Sequence, residues 1–318
     1  MSTNEDPPES AVRNDVPPVE PSSRCMPKLR AVAAIVRNFF VPATLPPLDV
    51  FLPPPVTSAA ASETIYARRR KNSMPLILEV DTHPRFPFHD YTIIKEIGHG
   101  PYSDVYECIR NGTDQHVAMK VIPYLHYKRR ETRVLRKLKG VEGMLQWIET
   151  KIDPCNAYVV TSYYPKGDVF TSIVDRHDYN TVQACYDLMM EIIQIVLRLH
   201  ISGYVHLDLK FENFVKKEDN SLVLIDFGFT RKYTQKLRTT SMCVGTQPYA
   251  SPESYYHKYT AASDVYSLGM MMKLLHETYG FSPPPVVQGM IAFEWGARPN
   301  LPQVMYWLEK TRPTEGLV

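Results

Sequence analysis

The chain of 318 residues has few cysteines, no long apolar run and almost no net charge, and each shortage closes off a class of function. Its five cysteines, Cys25, Cys108, Cys155, Cys185 and Cys243, are scattered without a C-x-x-C pair. That pattern argues against a zinc site or a disulfide framework and fits a reducing intracellular compartment, cytoplasmic or nuclear. The N-terminus, Met-Ser-Thr-Asn-Glu-Asp, lacks a basic region followed by an apolar stretch and does not read as a secretory signal. The most apolar early segment, residues 31–41, is interrupted by Arg37 and is far too short to span a bilayer. A formal net charge of +2 gives no whole-chain case for nucleic-acid binding. No internal repeat is found.

What is present is apolar substance: 44% hydrophobic residues, ample for one large domain or two small ones. Proline is unevenly spread, and roughly half of the 27 prolines precede residue 86. A stretch so rich in proline cannot close helix or sheet ladders, so residues 1–85 are expected to form a mostly disordered tail. Two features interrupt it. Residues 28–41 have the pattern of a short amphipathic helix, and Arg68-Arg69-Arg70-Lys71 is a compact basic cluster. The cluster reads first as a solvated linker and second as a site for a regulatory partner.

From Tyr91 the texture becomes strand-like, with apolar runs at 91–97, 105–110, 116–122, 144–150 and 158–162 separated by Gly and Asn-Gly turns. Between the third and fourth runs, the charged segment 128–138 carries Val134, Leu135 and Leu138 at helical spacing. After Gly167 the period turns helical, most clearly over 181–202, where Leu188, Ile192, Ile195 and Leu199 make one apolar face. A sheet-rich half followed by a helix-rich half predicts an α+β fold of two lobes with a cleft between them.

Into that pattern fall six short motifs between Gly98 and Glu253. The first, Gly98-His99-Gly100-Pro101-Tyr102-Ser103, would let backbone N–H groups approach phosphate oxygens without an intervening Cβ. Alone it equally describes a hairpin turn. In Val117-Ala118-Met119-Lys120-Val121-Ile122, the strand period puts Ala118, Lys120 and Ile122 on one face. A lysine in such a strand needs an anion, and Glu131 on the following helix is the best candidate. Next, His206-Leu207-Asp208-Leu209-Lys210-Phe211-Glu212-Asn213 puts a carboxylate, a cation and an amide within six residues, Asp208 to Asn213. Asp226, followed by Phe227-Gly228, comes after the apolar run 222–225. Phosphoryl transfer needs such parts: oxygen ligands for Mg²⁺, a cation on the phosphates and a carboxylate beside the attacking hydroxyl.

Taken together these motifs make the chain resemble a eukaryotic-type protein kinase over about residues 91–298, and the D-L-K-x-E-N form resembles the serine/threonine branch. The resemblance implies a bilobal fold, with a small antiparallel sheet and one helix in an N-lobe at about 86–162. A mainly helical C-lobe would follow at about 163–318. It implies ATP and Mg²⁺ as cofactors and a protein hydroxyl as acceptor. Carried over residue by residue, Ile97, Gly98, Gly100, Ser103 and Val105 would cover the nucleotide, with Ala118 against the adenine. Lys120 would contact the α- and β-phosphates and pair with Glu131. Thr161 resembles the gatekeeper, Ser162-Tyr163-Tyr164 the hinge, and Asp168 the ribose contact. Asp208 would orient the substrate hydroxyl, Lys210 would steady the γ-phosphate, and Asn213 and Asp226 would hold Mg²⁺. Gly245-Thr246 through the sixth motif, Ser251-Pro252-Glu253, resembles the close of the activation segment, Asp264 resembles a buried anchor, and Arg298 is a partner for Glu253.

Two departures stand out. Leu207 occupies the position that is often arginine, so the pairing between that arginine and an activation-loop phosphate is not available. Basal activity is therefore expected not to need phosphorylation of Thr239, Thr240 or Ser241, with Arg231 and Lys232 the substitute cations for any phosphate there. Only 28 residues (270–297) separate Gly269 from Arg298, and they include Pro283-Pro284-Pro285. The C-lobe should be shortened there. These departures motivate one rival reading, a pseudokinase serving as a binding or scaffold module. The retention of Lys120, Asp208, Asn213 and Asp226 together opposes it.

Overall fold

The computed structural model describes residues 89–313 apart from Pro101, so the proline-rich tail, with its helix and basic-cluster expectations, lies outside the described residues. Five strands form the first sheet: β1 (Tyr91–Gly100), β2 (Ser103–Arg110), β3 (His116–Pro123), β4 (Trp147–Ile152) and β5 (Asn156–Ser162). Their order is β1-β2-β3-β5-β4 and every pairing is antiparallel. Helix α1 (Arg129–Lys137) leaves the sheet after β3.

Strand period decides which lysine and which valines go where. On β3, Val117 and Met119 join Tyr91, Cys108, Tyr158 and Val160 in a small apolar cluster on one face of the sheet. Ala118, Lys120 and Ile122 alternate with them and take the other face, where Ile122 belongs to the main core with Val134 and Leu135 of α1. Helix α1 has no side-chain N-cap and five basic residues among its nine, so propensity alone would hold it poorly. Its buried residues Val134 and Leu135, with Leu138 just beyond, dock it.

The expected strand at 144–150 begins later, at Trp147. Gly143 turns the chain at φ +76°, and Met144 goes into the main core, forming a single parallel bridge to Leu224. An apolar run did not distinguish a buried turn from a strand, because both exclude water equally.

The second lobe is built on two long helices. After α2 (Val169–Val174), helix α3 (Val182–Ile201) is capped by Thr181, whose side chain accepts from the Ala184 N–H. It buries Leu188, Ile192, Ile195 and Leu199, the face its period predicts. Each such fully buried aliphatic side chain contributes about 1.5–3 kcal/mol of transfer free energy. Short strand pairs then carry the loops: β6 (Tyr204–Val205) with β9 (Arg231–Lys232), and β7 (Phe214–Lys216) with β8 (Leu222–Leu224). A further pair joins β10 (Arg238–Thr239) to β11 (Lys258–Tyr259). Helix α4 (Ala261–Tyr279) starts at a Thr260–Ser263 capping box and ends at Gly280 with φ +78°.

Beyond α4, among the described residues, two α-helices follow, α5 (Val286–Met290) and α6 (Leu301–Thr311), so the lobe is compact at this end as the short spacing implied. Leu301, Val304 and Leu308 seal it, together with Val287 and Met290. Met270, Met271 and Met272 are all core residues. Among the described residues no helix is long and apolar enough to cross a membrane.

Candidate active site

The cleft between the lobes gathers groups that are far apart in sequence. Lys120 on β3 extends to Glu131 in the first turn of α1, with Nζ 2.8 Å from Oε1. The same Nζ lies 3.6 Å from Asp226 Oδ1. Burial would pull the Lys120 ammonium toward neutrality, but the Glu131 and Asp226 carboxylates outweigh it and hold its pKa above that of an ordinary lysine. Asp226 is shifted the opposite way: burial would raise its pKa, but Lys120 and the Gly228 N–H lower it. The lysine is thus charged and already held by anions on two elements.

Asp226 follows β8 with φ +58°, and Gly228 donates its N–H back to Asp226 Oδ1 at 3.2 Å. Phe227 is fully buried and meets His206 edge-on at 5.5 Å between ring centroids. His206 is itself buried, with Nε2 3.3 Å from the Ile225 carbonyl and Nδ1 accepting from the Asp208 N–H. It supports the loop from beneath.

Asp208 occupies the centre of that loop. Its Oδ1 accepts from the Thr246 hydroxyl at 2.6 Å, and its Oδ2 lies 3.8 Å from Lys210 Nζ. Lys210 Nζ also reaches Thr246 Oγ1 at 3.5 Å. Asn213 donates its side-chain N–H to the Asp208 carbonyl at 2.8 Å. That bond commits the amide nitrogen and leaves Asn213 Oδ1 as a ligand atom, while the Ile225 N–H bond to the Asn213 carbonyl at 2.8 Å joins Asn213 to the residue before Asp226. An amide oxygen and a carboxylate suit a hard divalent ion such as Mg²⁺, which takes oxygen ligands.

The loop is suspended from a buried carboxylate. Asp264, fully buried on α4, accepts the backbone N–H of His206 at Oδ2 and of Leu207 at Oδ1, both at 2.8 Å. His200 Nε2, near the end of α3, contacts the same Oδ2 at 2.8 Å. Burial would raise the Asp264 pKa, but His200, His206 and these N–H groups hold it below the ordinary value. With three polar contacts the carboxylate is satisfied despite its burial.

On the upper wall, Gly100 and Ser103 face each other across the β1–β2 hairpin, and Gly98 pairs with Val105. A Cβ on Gly100 would come within 3.3 Å of the Ser103 carbonyl, so the tight turn favours glycine there. Ile97 is partly exposed at 38%, beside a bulge in β1. Ala118 pairs with Thr161 across β3 and β5, and the Thr161 hydroxyl donates to the Ala118 carbonyl at 3.4 Å. The Ser162 N–H is taken by the Gln146 carbonyl at 3.0 Å. Burial raises the pKa of the Tyr164 phenol. Asp168 is the N-cap of α2: Oδ1 accepts the Thr171 N–H at 2.7 Å and Oδ2 the Thr171 hydroxyl at 3.0 Å. Its carboxylate therefore has a structural task already.

Two contributors were missed by reading the sequence. Thr246 was recognised only as part of the Gly245-to-Glu253 segment, and a lone threonine carries no sign that it will reach Asp208 across 38 positions. His200 looked like one more residue of an apolar helix. By contrast, Arg298 meets Glu253 in two bonds of 2.8 and 2.7 Å, as anticipated. Leu207 has φ +70° and packs with Val205, Val244, Tyr259 and Ala261, so an apolar cluster stands where a guanidinium would otherwise be.

Comparison with known proteins agrees with this geometry. A family model described as protein kinase domain matches residues 91–285. A CDPK-related protein kinase of Daucus carota is 31% identical over 201 residues, 58% of this chain and 33% of that protein. CDPK-related kinase 7 of Arabidopsis thaliana is 30% identical over 283 residues, 79% of this chain and 48% of that protein. A calcium/calmodulin-dependent serine/threonine-protein kinase 1 of Oryza sativa subsp. japonica is 29% identical over 203 residues, 58% of this chain and 33% of that protein. The chain spans between a third and a half of the length of these curated relatives. With more than half of its residues matched and the cleft built as described, the chain belongs to the protein kinase domain family.

Proposed function

We propose that the chain is an ATP-dependent serine/threonine protein kinase whose cleft transfers the γ-phosphoryl group of Mg-ATP to a protein hydroxyl. The observation that carries this reading is the pre-assembled polar set. Lys120 is tied to Glu131 and lies 3.6 Å from Asp226, while Asp208 is held by Thr246 beside Lys210 and Asn213. Holding these charges in place before substrate arrives removes reorganisation from the reaction step.

In this reading Lys120 binds the α- and β-phosphates, and Glu131 fixes its direction. The hairpin of Gly98, Gly100 and Ser103 lies over the phosphates, with Ile97, Val105 and Ala118 enclosing the base. Thr161, Ser162 and Tyr164 line its inner edge. Asp168 contacts the ribose through a carboxylate that its capping role keeps in a single orientation. Asn213 and Asp226 would hold Mg²⁺, which draws charge from the phosphate oxygens when bound. Asp208 orients the acceptor hydroxyl and takes its proton, and Lys210 offsets charge on the transferred group. The chemistry is mainly positioning and charge neutralisation.

The domain division at about residue 162, the tail at 1–85 as a partner-binding segment and an intracellular setting belong to the same proposal. Incubation with radiolabelled ATP and a generic protein substrate tests it, with Asp208→Asn as control. Transfer by the wild type that falls sharply in the variant supports the reading; normal ATP binding with no transfer overturns it in favour of a scaffold.

A further inference from the structure

A second cavity lies in the helical lobe, away from the cleft, and its walls include both polar anchors that hold the loops in place. It measures about 600 Å³ and is bounded by the ends of α3, α4 and α6 with the segment before α6. Leu197, Val265, Trp295 and Leu301 give it apolar walls, and His200 and Arg298 give it polar ones. A volume of that size, mostly apolar with a few placed polar groups, suits a small organic molecule.

The charges around it are already matched. Arg298 spends its donors on Glu253 and on the carbonyls of Ala262, Ala292 and Phe293. Asp264 is met by His200 and by two backbone N–H groups. A charged occupant would thus bring an unbalanced charge into an apolar space, so a neutral one is favoured. His200 narrows the class further. The ionised Asp264 carboxylate can only accept, so Nε2 carries a proton, and in the tautomer with that proton alone Nδ1 is an acceptor. Among the described residues no hydrogen bond reaches that Nδ1.

We propose that this cavity is a regulatory binding site for a neutral, largely apolar small molecule that bears one hydrogen-bond donor for His200. Its occupant would be felt at the catalytic loop, because His200 bears on Asp264 and Asp264 holds the N–H groups of His206 and Leu207. It would also press on Arg298, which fixes Glu253 at the end of the activation segment.

Indole is a suitable probe, with 1-methylindole as its donor-free counterpart, and neither measurement needs ATP or turnover. Saturation-transfer NMR on the whole chain is expected to show indole bound, and 1-methylindole weaker by about two- to tenfold, the loss of one net hydrogen bond. Ala262→Trp fills the cavity from the first turn of α4, and Ile201→Trp closes it from a position that is 78% exposed and tolerant of change. Either should abolish the signal. Hydrogen exchange of the Leu207 amide should slow when indole is bound. Absence of indole binding, equal binding of the two probes, binding retained in the folded Ile201→Trp protein, or an unchanged Leu207 exchange rate would each overturn the proposal. Loss of phosphoryl transfer, by contrast, bears only on the cleft.

Discussion

At the scale of the residue, the groups that matter are those whose partners leave them one orientation. Asp208 is held by Thr246 and flanked by Lys210. Replacing it by Asn keeps the shape and removes the proton acceptor of the proposed mechanism, so on that mechanism transfer should slow by about 10²- to 10⁴-fold, measured as kcat with saturating ATP. The buried Glu253–Arg298 pair answers to a different measurement. Breaking such a pair from one side leaves a buried charge unmatched, so Arg298→Met should cost about 3–5 kcal/mol in urea unfolding. Burial would raise the Glu253 pKa, but Arg298 and Ser263 hold it below its ordinary value of 4.5. A depressed folded-state pKa means the stabilisation is complete above the unfolded value and is lost as pH falls through the folded one. Stability should therefore decline below about pH 4.5, and Glu253→Gln should flatten part of that acid limb. A variant with the same acid slope as the wild type would contradict this account.

At the scale of the element, the activation segment is held to the catalytic loop by apolar packing. Gly245, at φ +92°, brings the segment so close that a Cβ would lie 3.2 Å from the Leu207 carbonyl. Val244 then lies in the cluster with Leu207 and Tyr259. Such packing is insensitive to phosphate, so the triple variant Thr239→Ala, Thr240→Ala, Ser241→Ala should keep its basal phosphoryl-transfer rate. Near-total loss would show that the cluster does not suffice. Leu207→Ala should be the more damaging change, at about 2–5 kcal/mol of stability by thermal or urea unfolding, since it opens a void where the two segments meet. Element boundaries were largely legible: β2, β3, β5, α1 and α3 fall within a few residues of their periodic runs. Met144 was not, because burial in a turn leaves the same apolar signature as burial in a strand.

At the scale of the whole molecule, one apolar core runs through both lobes. Ile122, Val134, Leu135 and Val159 from the sheet side join Ile192, Phe227, Met271 and Leu308 from the helical side. The kinase-domain match stops at residue 285, yet Val287, Met290, Leu301, Val304 and Leu308 belong to that core and Arg298 lies beyond the match. A chain cut after residue 285 should therefore lose cooperative unfolding and aggregate, as calorimetry would report. A sharp transition in the cut chain would mean that α5 and α6 are accessory. The curated relatives are longer than this chain, so such cuts concern the fold and not the reach of the full protein.

What the sequence determined by itself was chemical identity and local period: which residues bear charge, which strand face Lys120 takes, and which side of α3 is apolar. Those properties are local, set by side-chain type and by repeats of two or 3.6 residues. The tertiary structure alone decided the meetings across long separations: Thr246 with Asp208, His200 with Asp264, and the catalytic loop with the activation segment through Leu207 and Val244. No local pattern encodes them, because each contact depends on how the elements pack before any polar partner comes within hydrogen-bonding distance.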